Sequence, residues 1–570
     1  MITTLIESAR ARLGIPANVA FEQYQSVLDL FEEALARFAD DVAFAGLGQT
    51  LTFRELDRLI TQFAVFLQQQ PELAPGDRIA LQLPNLLQYP VALFGAMRAG
   101  LVVVNTNPLY KPDEIAHQLN DAGVKALVVL ANVAANAAAV IAQTSVRLVV
   151  VTELADLHPP LKRFVINNVA RYIKRMVPAF NIPGAVSWCD ALQIGSAGTL
   201  RKLPRRAEDV AILQYTGGTT GVAKAAMLSH RNLIANTLQG REMFMTYGIR
   251  EAQETFILPL PLYHIYSFTF SMFMLTSGNC CVLIPNPKDL DRMVKDMRRQ
   301  PFTGICGLNT LFVSLCNHAG FRALDFSRLK VTISGGMALT QAAAKRWQEV
   351  TGVAVYEGYG LTEASPVVSV NPGNNNQPGT IGLAVPNTEL KVIDDNGVAL
   401  EINQPGELCV RGPQVMLGYW QRPEETSQVL DAEGWLKTGD IAILREDGFA
   451  KIVDRKKDLI VVSGFKVFPG EIEDVVSTHP DVVICAAVGV PDEHSGEAVQ
   501  LYVVARRKTL TEKEVRDFCR QHLTNYKVPS RVIFRDDLPK SAVGKVLRRE
   551  LRDEALKSLN PPDSSKTAAS

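Results

Sequence analysis

The chain of 570 residues is too long for a single hydrophobic core, so we expect two or more domains. It carries 59 basic and 59 acidic residues, and this balance provides no overall field that would recruit nucleic acid. Its eight cysteines show neither CxxC nor Cys/His metal spacing, which indicates reduced thiols in a cytosolic compartment. The first twelve residues lack the apolar run of a signal peptide.

Helices and strands alternate over the first part of the chain. Apolar residues at helical spacing predict helices over 24–38 and 51–69. The pattern that follows predicts strand 78–83, helix 87–98, strand 101–104, helix 112–122 and strand 126–130. This alternation is typical of an α/β protein with parallel strands, and it resumes from residue 210 to about 366.

Segment 157–189 interrupts this alternation. It contains basic residues and no acidic residue, with an apolar stripe between them. A basic helix with an apolar stripe suits an anionic membrane surface, and a surface helix packed on its own domain shows the same pattern. The basic residues are Lys162, Arg163, Arg171, Lys174 and Arg175, and the apolar ones are Phe164, Val165, Ile166, Val169, Tyr172, Ile173, Met176 and Val177.

Residues 255–287 include no charged residue and are numerous enough for a membrane span. Prolines and Gly278 divide them into a run of helix length, 265–276, and a run of strand length, 280–284. We therefore interpret this segment as the apolar core or pocket wall of a soluble domain.

A string rich in glycine and threonine ends in a lysine at position 224. Its backbone N–H groups, hydroxyls and terminal cation predict a loop around phosphate oxygens, with a Gly/Thr-rich surface turn as the alternative. No glycine precedes Lys224 and no Ser or Thr follows it, so the string is not a Walker A loop. The apolar run 210–213 and the helix start at Ser229 predict a strand–loop–helix unit. The candidate ligands are Tyr215, Thr216, Gly217, Gly218, Thr219, Thr220, Gly221 and Lys224.

A second informative string, 356–363, follows an apolar strand, and ligands gather at the carboxyl ends of parallel strands. Tyr359 lies between two glycines and can offer its ring to a base. Glu363, beside Thr362, is a hard oxygen ligand suited to Mg²⁺. The upstream turn 334–337 could lie along the edge of a purine base. Taken singly, however, the string that ends at Lys224 and the string 356–363 are each explained by a plain glycine-rich turn. The remaining candidates here are Gly336, Met337, Glu357, Gly358 and Gly360.

Beyond residue 380 short strands with turn signals predict a β-rich subdomain, followed by a small α+β unit. Asp440 lies in a third string, 434–440, where a carboxylate on a tight turn could take two ribose hydroxyls. The fourth string is 454–458 and the fifth is 539–545. We predict a large domain over 1–454, including the β-rich subdomain 380–454, a small unit over 455–557 and a disordered tail over 558–570.

These five strings, in this order and at these distances, resemble the adenylate-forming superfamily of acyl-CoA synthetases, luciferases and nonribosomal-peptide adenylation domains. The resemblance runs from about residue 24 to 554. Strings 261–264, 412–420 and 462–465 make the chain most similar to bacterial long-chain fatty-acid–CoA ligases. It implies an α/β multidomain fold, with parallel α/β subdomains and a β-rich subdomain in the large domain and a small mobile C-terminal domain.

The resemblance also implies a reaction in two steps with ATP, Mg²⁺ and CoA. A fatty carboxylate attacks the ATP α-phosphate to give acyl-adenylate and pyrophosphate, and the CoA thiol then displaces AMP. Fixed positive charge serves this chemistry better than a covalent nucleophile. By the family match, residues 216–224 hold the β- and γ-phosphates, Glu363 binds Mg²⁺, and Lys545 reaches the α-phosphate. Tyr359 stacks on adenine, Asp440 and Arg455 hold the ribose, and His264 lies near the fatty carboxylate. Lys457 is the hinge of the small domain, and Gly464 lets the pantetheine arm of CoA pass.

Several alternatives remain open at this point. The acyl group of the adenylate could pass to a carrier protein or another acceptor, the substrate could be a medium-chain or other carboxylate, or the chain could be a silent acyl-nucleotide sensor. Ala225 stands where the family usually has glycine, which could stiffen the phosphate loop. We expect a cytoplasmic protein attached peripherally to the inner face of the membrane through 157–189, with a homodimer as one further expectation.

Overall fold

The computed structural model describes residues 2–216, 223–541 and 544–559. Within these residues the chain forms two large, mainly parallel sheets and two small, mainly antiparallel sheets, with helices packed around them. The predicted α/β multidomain fold is confirmed.

The strands are numbered in chain order. They are β1 (Val42–Gly46), β2 (Gln49–Thr52), β3 (Arg78–Gln82), β4 (Val102–Asn105), β5 (Val124–Leu130), β6 (Leu148–Thr152), β7 (Val186–Ser187), β8 (Val210–Thr216), β9 (Lys224–Ser229), β10 (Thr255–Leu258), β11 (Cys280–Leu283), β12 (Gly304–Gly307), β13 (Val331–Ser334), β14 (Val355–Gly360), β15 (Val367–Val370), β16 (Leu383–Ala384), β17 (Glu389–Ile393), β18 (Gly406–Arg411), β19 (Leu436–Leu444), β20 (Ala450–Arg455), β21 (Ile460–Val462), β22 (Phe465–Val467), β23 (Val482–Asp492), β24 (Gly496–Ala505) and β25 (Arg531–Phe534).

The α-helices are numbered in the same way. They are α1 (Ile2–Arg12), α2 (Val27–Arg37), α3 (Phe53–Gln68), α4 (Gln88–Arg98), α5 (Pro112–Asp121), α6 (Ala134–Ala138), α7 (Pro160–Asn168), α8 (Trp188–Ser196), α9 (His230–Met245), α10 (Ile265–Leu275), α11 (Leu290–Arg298), α12 (Asn309–Asn317), α13 (Ala319–Arg322), α14 (Gln341–Thr351), α15 (Pro423–Val429), α16 (Pro469–Ser477), α17 (Glu512–His522) and α18 (Arg548–Leu559).

The first large sheet has the strand order β7-β6-β5-β3-β4-β8-β9. Its strands are parallel except β9, which runs antiparallel to β8. The predicted strand–loop–helix unit was therefore wrong in one respect, because a second strand lies between the glycine-rich loop and α9. The short apolar run 225–228 forms this strand by pairing across the loop, a contact that periodicity within a few residues does not reveal.

The second large sheet has the order β16-β15-β14-β13-β12-β10-β11-β1-β2 and is parallel from β14 to β1. Helix α10 packs beside it, and all its residues except Tyr266 are buried. The uncharged segment is thus a core helix followed by strand β11, as predicted. One cluster of buried apolar residues, including Phe63, Leu81, Phe94 and Phe256, continues between the two large sheets.

The β-rich subdomain is the antiparallel sheet β17-β18-β19-β20, which ends at Arg455. The small C-terminal unit contains the sheet β22-β21-β24-β23, with β25 parallel to β24 and helices α16, α17 and α18 around it. Proline at the first position of α16 suits a helix start, because it has no N–H to leave unpaired.

Segment 157–189 forms α7, a π-helical turn over Val169–Ile173, an irregular stretch, strand β7 and the first two residues of α8. Large apolar side chains on it face solvent, with Leu161, Phe164, Tyr172 and Ile173 each between 67% and 76% exposed. In the part of the chain that the structure describes, no helix combines the length and the apolar character needed to cross a membrane.

Candidate active site

The candidate residues gather at the carboxyl ends of parallel strands from both large sheets. Strand β8 ends at Thr216, and β13 ends at Ser334, just before the turn with Gly336 and Met337. Strand β14 runs through Tyr359 and was predicted to end before it. Its last residues pair with β15 in the antiparallel direction, which extends the strand beyond its parallel partner β13.

Strand β14 places its candidate residues by alternation. Glu357 and Tyr359 lie on one face of the strand, and Glu357 Oε1 accepts a 2.9 Å hydrogen bond from the Gly379 N–H. Burial raises the pKa of the Glu357 carboxyl to about 7. Gly360 cannot carry a side chain, since a Cβ would stand 2.1 Å from the Pro366 carbonyl oxygen. Gly358 lies between Glu357 and Tyr359 on β14, and Thr362 begins a short 3-10 turn after the strand.

A three-residue group forms around Asp440. The Tyr359 hydroxyl donates to Asp440 Oδ2 at 2.6 Å, and Arg455 Nε lies 2.9 Å from Oδ1. Asp440 and Arg455 are direct cross-strand partners on β19 and β20, so the predicted tight turn at Asp440 was wrong. A bulge at Gly439, with φ of +72°, redirects the carboxylate there. Each carboxylate oxygen keeps a lone pair that can accept a ribose hydroxyl.

A second group joins the phosphate loop to the predicted metal ligand. The Tyr419 hydroxyl donates to Glu363 Oε1 at 2.7 Å, and the Lys224 ammonium lies 5.3 Å from the centre of the Tyr419 ring. This bond holds one oxygen of Glu363 and leaves the other for a ligand. A single oriented carboxylate fits Mg²⁺ that shares its coordination with nucleotide phosphates. Among the described residues no group of three or more His, Cys, Asp or Glu could cage a metal without such help.

The base of the phosphate loop is the end of the β8–β9 hairpin, where Thr216 pairs with Lys224. The predicted ligands between them lie outside the described residues; they are Gly217, Gly218, Thr219, Thr220 and Gly221. Ala225 is a buried strand residue opposite Tyr215, and its carbonyl accepts from the Trp420 N–H at 2.8 Å. A strand at this position has no need of glycine.

The side chain of Tyr215 points away from this site. Its hydroxyl donates to Asp121 Oδ2 at 2.6 Å, and Arg422 binds the other oxygen of the same carboxylate at 2.7 Å. Alternation along β8 puts Thr216 on the opposite face. Tyr215 is therefore placed to brace the hairpin, and its side chain is not brought to the nucleotide groups.

The small unit contributes Lys545 to this site. Thr310 at the start of α12 donates to the carbonyl oxygen of Gly544 at 3.1 Å, which docks the lysine loop on the large domain. Burial, followed by the charge of Arg455, lowers the pKa of Lys545 to about 8. Burial, followed by the charge of Lys545, lowers the pKa of His264 to about 4. His264 Nδ1 accepts from the Tyr266 N–H at 3.3 Å, so the neutral ring can donate from Nε2.

Two further candidates lie on exposed turns. Lys457 is exposed in a 3-10 turn between β20 and β21. Gly464 occupies the exposed β21–β22 turn with φ of +82°, a conformation that favours glycine. Val461 and Phe465 beside it are 43% and 56% exposed. The structure therefore brings Lys545 to the site while the Gly464 turn faces solvent.

Sequence reasoning missed several supporting residues. Tyr419 belongs to a string that carried the resemblance, but nothing marked it as the partner of Glu363. The roles of Asp121, Asp454 and Arg548 depend on partners 90 or more residues away in the chain. Such pairings leave no signal in a single sequence.

Two protein-family models match most of this chain. The family model for AMP-binding enzymes matches residues 31–420, and the model for their C-terminal domain matches residues 471–545. A long-chain-fatty-acid–CoA ligase of Escherichia coli O157:H7 is 51% identical over 95% of this chain and 96% of its own length. One from Bacillus subtilis (strain 168) is 35% identical over 93% of this chain and 94% of its own length. The anthranilate CoA ligase AuaEII, solved with anthranoyl-AMP, shares the fold at a TM-score of 0.83 and 24% identity, covering 95% of this chain and 99% of that one.

Proposed function

The chain belongs to the AMP-binding, adenylate-forming enzymes, and on that premise we propose how its residues divide the work of an ATP-dependent long-chain fatty acid–CoA ligase. The enzyme activates a fatty carboxylate as an acyl-adenylate and transfers the acyl group to CoA. The observation that carries the assignment of residues is the docking of the Lys545 loop on the large domain through the hydrogen bond from Thr310 to Gly544, which brings the lysine charge near enough to lower the pKa of His264.

The first half-reaction joins two anions, so it depends on charge and position. Asp440 and Arg455 hold the ribose, and the ring of Tyr359 packs against adenine. Lys224 and the loop before it hold the β- and γ-phosphates. Lys545 stabilises the charge that develops on the α-phosphate as the carboxylate oxygen attacks and pyrophosphate leaves. His264, neutral at physiological pH, donates from Nε2 to the carboxylate oxygen that does not attack.

Mg²⁺ bound at Glu363 would neutralise phosphate charge during this step. The bond from Tyr419 holds Oε1 of Glu363 and leaves Oε2 available to the metal ion.

The second half-reaction needs a different placement of the small unit. The CoA sulfur attacks the acyl carbon and AMP leaves, and pantetheine must reach that carbon after pyrophosphate has departed. The Gly464 turn carries two apolar side chains on its exposed surface, as expected for a face that is covered at another stage. Rotation of the small unit about Lys457 moves the Lys545 loop out of the active site and brings the Gly464 turn to it.

The direct test of this function supplies ATP, CoA and a panel of carboxylic acids from butyrate to stearate. Because each buried methylene contributes about 0.8 kcal/mol, kcat/KM should rise with chain length until the acyl site is filled. Acyl-CoA, AMP and pyrophosphate should form in equal amounts. Pyrophosphate release without thioester would instead identify an acyl-adenylate donor to another acceptor.

The pH dependence of the first half-reaction follows from Lys545. The charged lysine is the active form, so kcat/KM for adenylation is retained below its pKa of about 8 and lost as pH rises through that value. We expect a fall of about ten-fold per pH unit on the alkaline side, measured as fatty-acid-dependent pyrophosphate release. A rate that stays flat to about pH 9.5 would show that the Lys545 charge is not needed.

The exposed patch on segment 157–189 suits peripheral attachment to an anionic membrane, which would place the enzyme at the inner face of the cytoplasmic membrane. Phe164, Tyr172 and Ile173 present apolar surface beside the exposed cations Lys174 and Arg175. Such a surface binds through apolar burial together with attraction to acidic lipid headgroups. Arg171 takes no part, because it pairs with Glu153.

Reversing the two exposed charges tests this attachment. Each basic residue near an anionic surface contributes about 1 kcal/mol, so Lys174→Glu with Arg175→Glu should weaken binding to phosphatidylglycerol vesicles by about 30-fold or more. Activity on soluble acids should be retained. The matched control reverses Arg322 and Arg328, which are also exposed but lie outside this segment, between the end of α13 and the start of β13. Equal binding of both variants and the parent would leave segment 157–189 as a plain surface helix.

A homodimer rests on the family resemblance alone, and sedimentation velocity on the purified chain would settle it.

A further inference from the structure

Four charged side chains meet where strand β20 leads into the small unit. Arg548, the first residue of α18, binds Glu473 through Nε at 2.9 Å and Nη2 at 2.5 Å. Its Nη1 donates to Asp454 Oδ1 and to Asp458 Oδ2, each at 3.2 Å. One guanidinium thus joins three carboxylates from two separate parts of the chain.

The chemistry of this cluster favours a fixed geometry. The side chain of Asp454 is 3% exposed, and its Oδ2 also accepts from the Gly470 N–H at 2.6 Å, in the first turn of α16. The planar fork of arginine can hold three carboxylates at once, which a lysine ammonium cannot match. Burial disfavours the charge on Arg548, but Glu473 and the two aspartates outweigh it and raise the pKa of Arg548.

The two aspartates lie on opposite sides of Lys457. If the small unit rotates there, Asp458, Glu473 and Arg548 move together, and their bonds survive. Asp454 stays with the large domain, so its bonds to Arg548 and Gly470 must break. Asp454 is thus the carboxylate of the cluster that can report on the position of the small unit.

Asp454 and Arg548 also connect the two halves of the adenylation site. Arg548 follows Lys545 by three residues, and Asp454 directly precedes Arg455, which holds Asp440 at 2.9 Å. The contact between Asp454 and Arg548 therefore ties the loop of the phosphate-binding lysine to the strand of the ribose-binding arginine.

We propose that Arg548 and Asp454 form an ionic latch that positions Lys545 for adenylate formation and opens when the small unit rotates to receive CoA. Both act through Lys545 and touch no substrate, so they are positioning residues. This proposal rests on the proposed rotation about Lys457.

The test compares two carboxylates at equal distance from the same guanidinium nitrogen. Charge-assisted hydrogen bonds contribute about 1.5–3 kcal/mol, so Asp454→Asn should slow fatty-acid-dependent ATP–pyrophosphate exchange by about 10–100-fold. The rate at which supplied acyl-AMP and CoA form thioester should change by less than about three-fold, and KM for ATP should stay the same. Asp458→Asn should leave both half-reactions near the parental rate, because its bond does not cross the hinge.

Equal losses in both half-reactions for Asp454→Asn, or equal effects of the two variants, would overturn the latch. If Asp454→Asn does not fold, Arg548→Lys must show the same selective loss of exchange, and a proportional loss of both steps overturns the proposal in the same way. A parent enzyme that makes acyl-CoA while the variants show no selective loss refutes the latch and leaves the ligase function intact. A parent that makes no acyl-CoA refutes the function itself.

Discussion

Replacing Lys545 with alanine is expected to lower fatty-acid-dependent ATP–pyrophosphate exchange by about 10²–10³-fold, the usual loss when one fixed stabiliser of developing charge is removed. Burial lowers the pKa of Lys545, so its charge lies in surroundings of lower dielectric than bulk water and interacts more strongly with the α-phosphate. The control is Lys540→Ala, which removes an exposed lysine of the same loop that pairs with Asp537.

The second half-reaction should respond differently to the same substitution. Thioester formation starts from acyl-AMP, whose α-phosphate has already been substituted, and in the proposed rotation Lys545 has left the site by then. Supplied acyl-AMP and CoA should react in Lys545→Ala within a few-fold of the parent. If both half-reactions fall equally, Lys545 supports the fold of the small unit and its assignment to the α-phosphate is wrong.

Proline at position 457 is expected to give the opposite pattern. It fixes φ near −65° and restrains Lys456 as well, which removes backbone freedom where rotation requires it. Lys456 and Lys457 already lie in a 3-10 turn, and proline is tolerated in the first turn of a helix. Exchange should therefore stay substantial in Lys457→Pro, while acyl-CoA synthesis should fall by about 10²-fold or more, since the rotation becomes the limiting step.

Lys457→Ala is the matched control for the proline variant. It removes the same charge and keeps the freedom of the backbone, so both half-reactions should proceed near the parental rate. If Lys457→Pro makes thioester as fast as Lys457→Ala, residue 457 is a solvated linker position and the rotation has another pivot.

The sequence predicted those parts of the fold that depend on local pattern. Alternating apolar runs located β3, α4, β4, α5 and β5 to within two residues, because each element buries its own apolar face. Helices α2 and α3, predicted from residues 24 and 51, begin after Ser26 and Thr52, whose capping boxes set these starts. Strand β9 was missed because its pairing depends on the loop that precedes it.

In the candidate active site, too, the residues in recognisable local motifs were predicted and the contacts between distant residues were not. Tyr359, Asp440 and Arg455 were predicted to act on one nucleoside, and the structure brings them into contact. Tyr215 was assigned to the same site, yet its side chain faces Asp121, since strand alternation reverses at each residue. The link between Asp454 and Arg548 spans 94 residues, and no spacing rule connects two such positions.

The claim that one site serves both half-reactions through rotation of the small unit has a direct test. Lys545→Ala and Lys457→Pro are supplied in parallel with acyl-AMP and CoA, and thioester formation is measured. Lys545→Ala is expected to make acyl-CoA near the parental rate and Lys457→Pro to make very little, although Lys457→Pro is the better of the two at ATP–pyrophosphate exchange. Equal rates of thioester formation in the two variants, or a faster rate in Lys457→Pro, would contradict it.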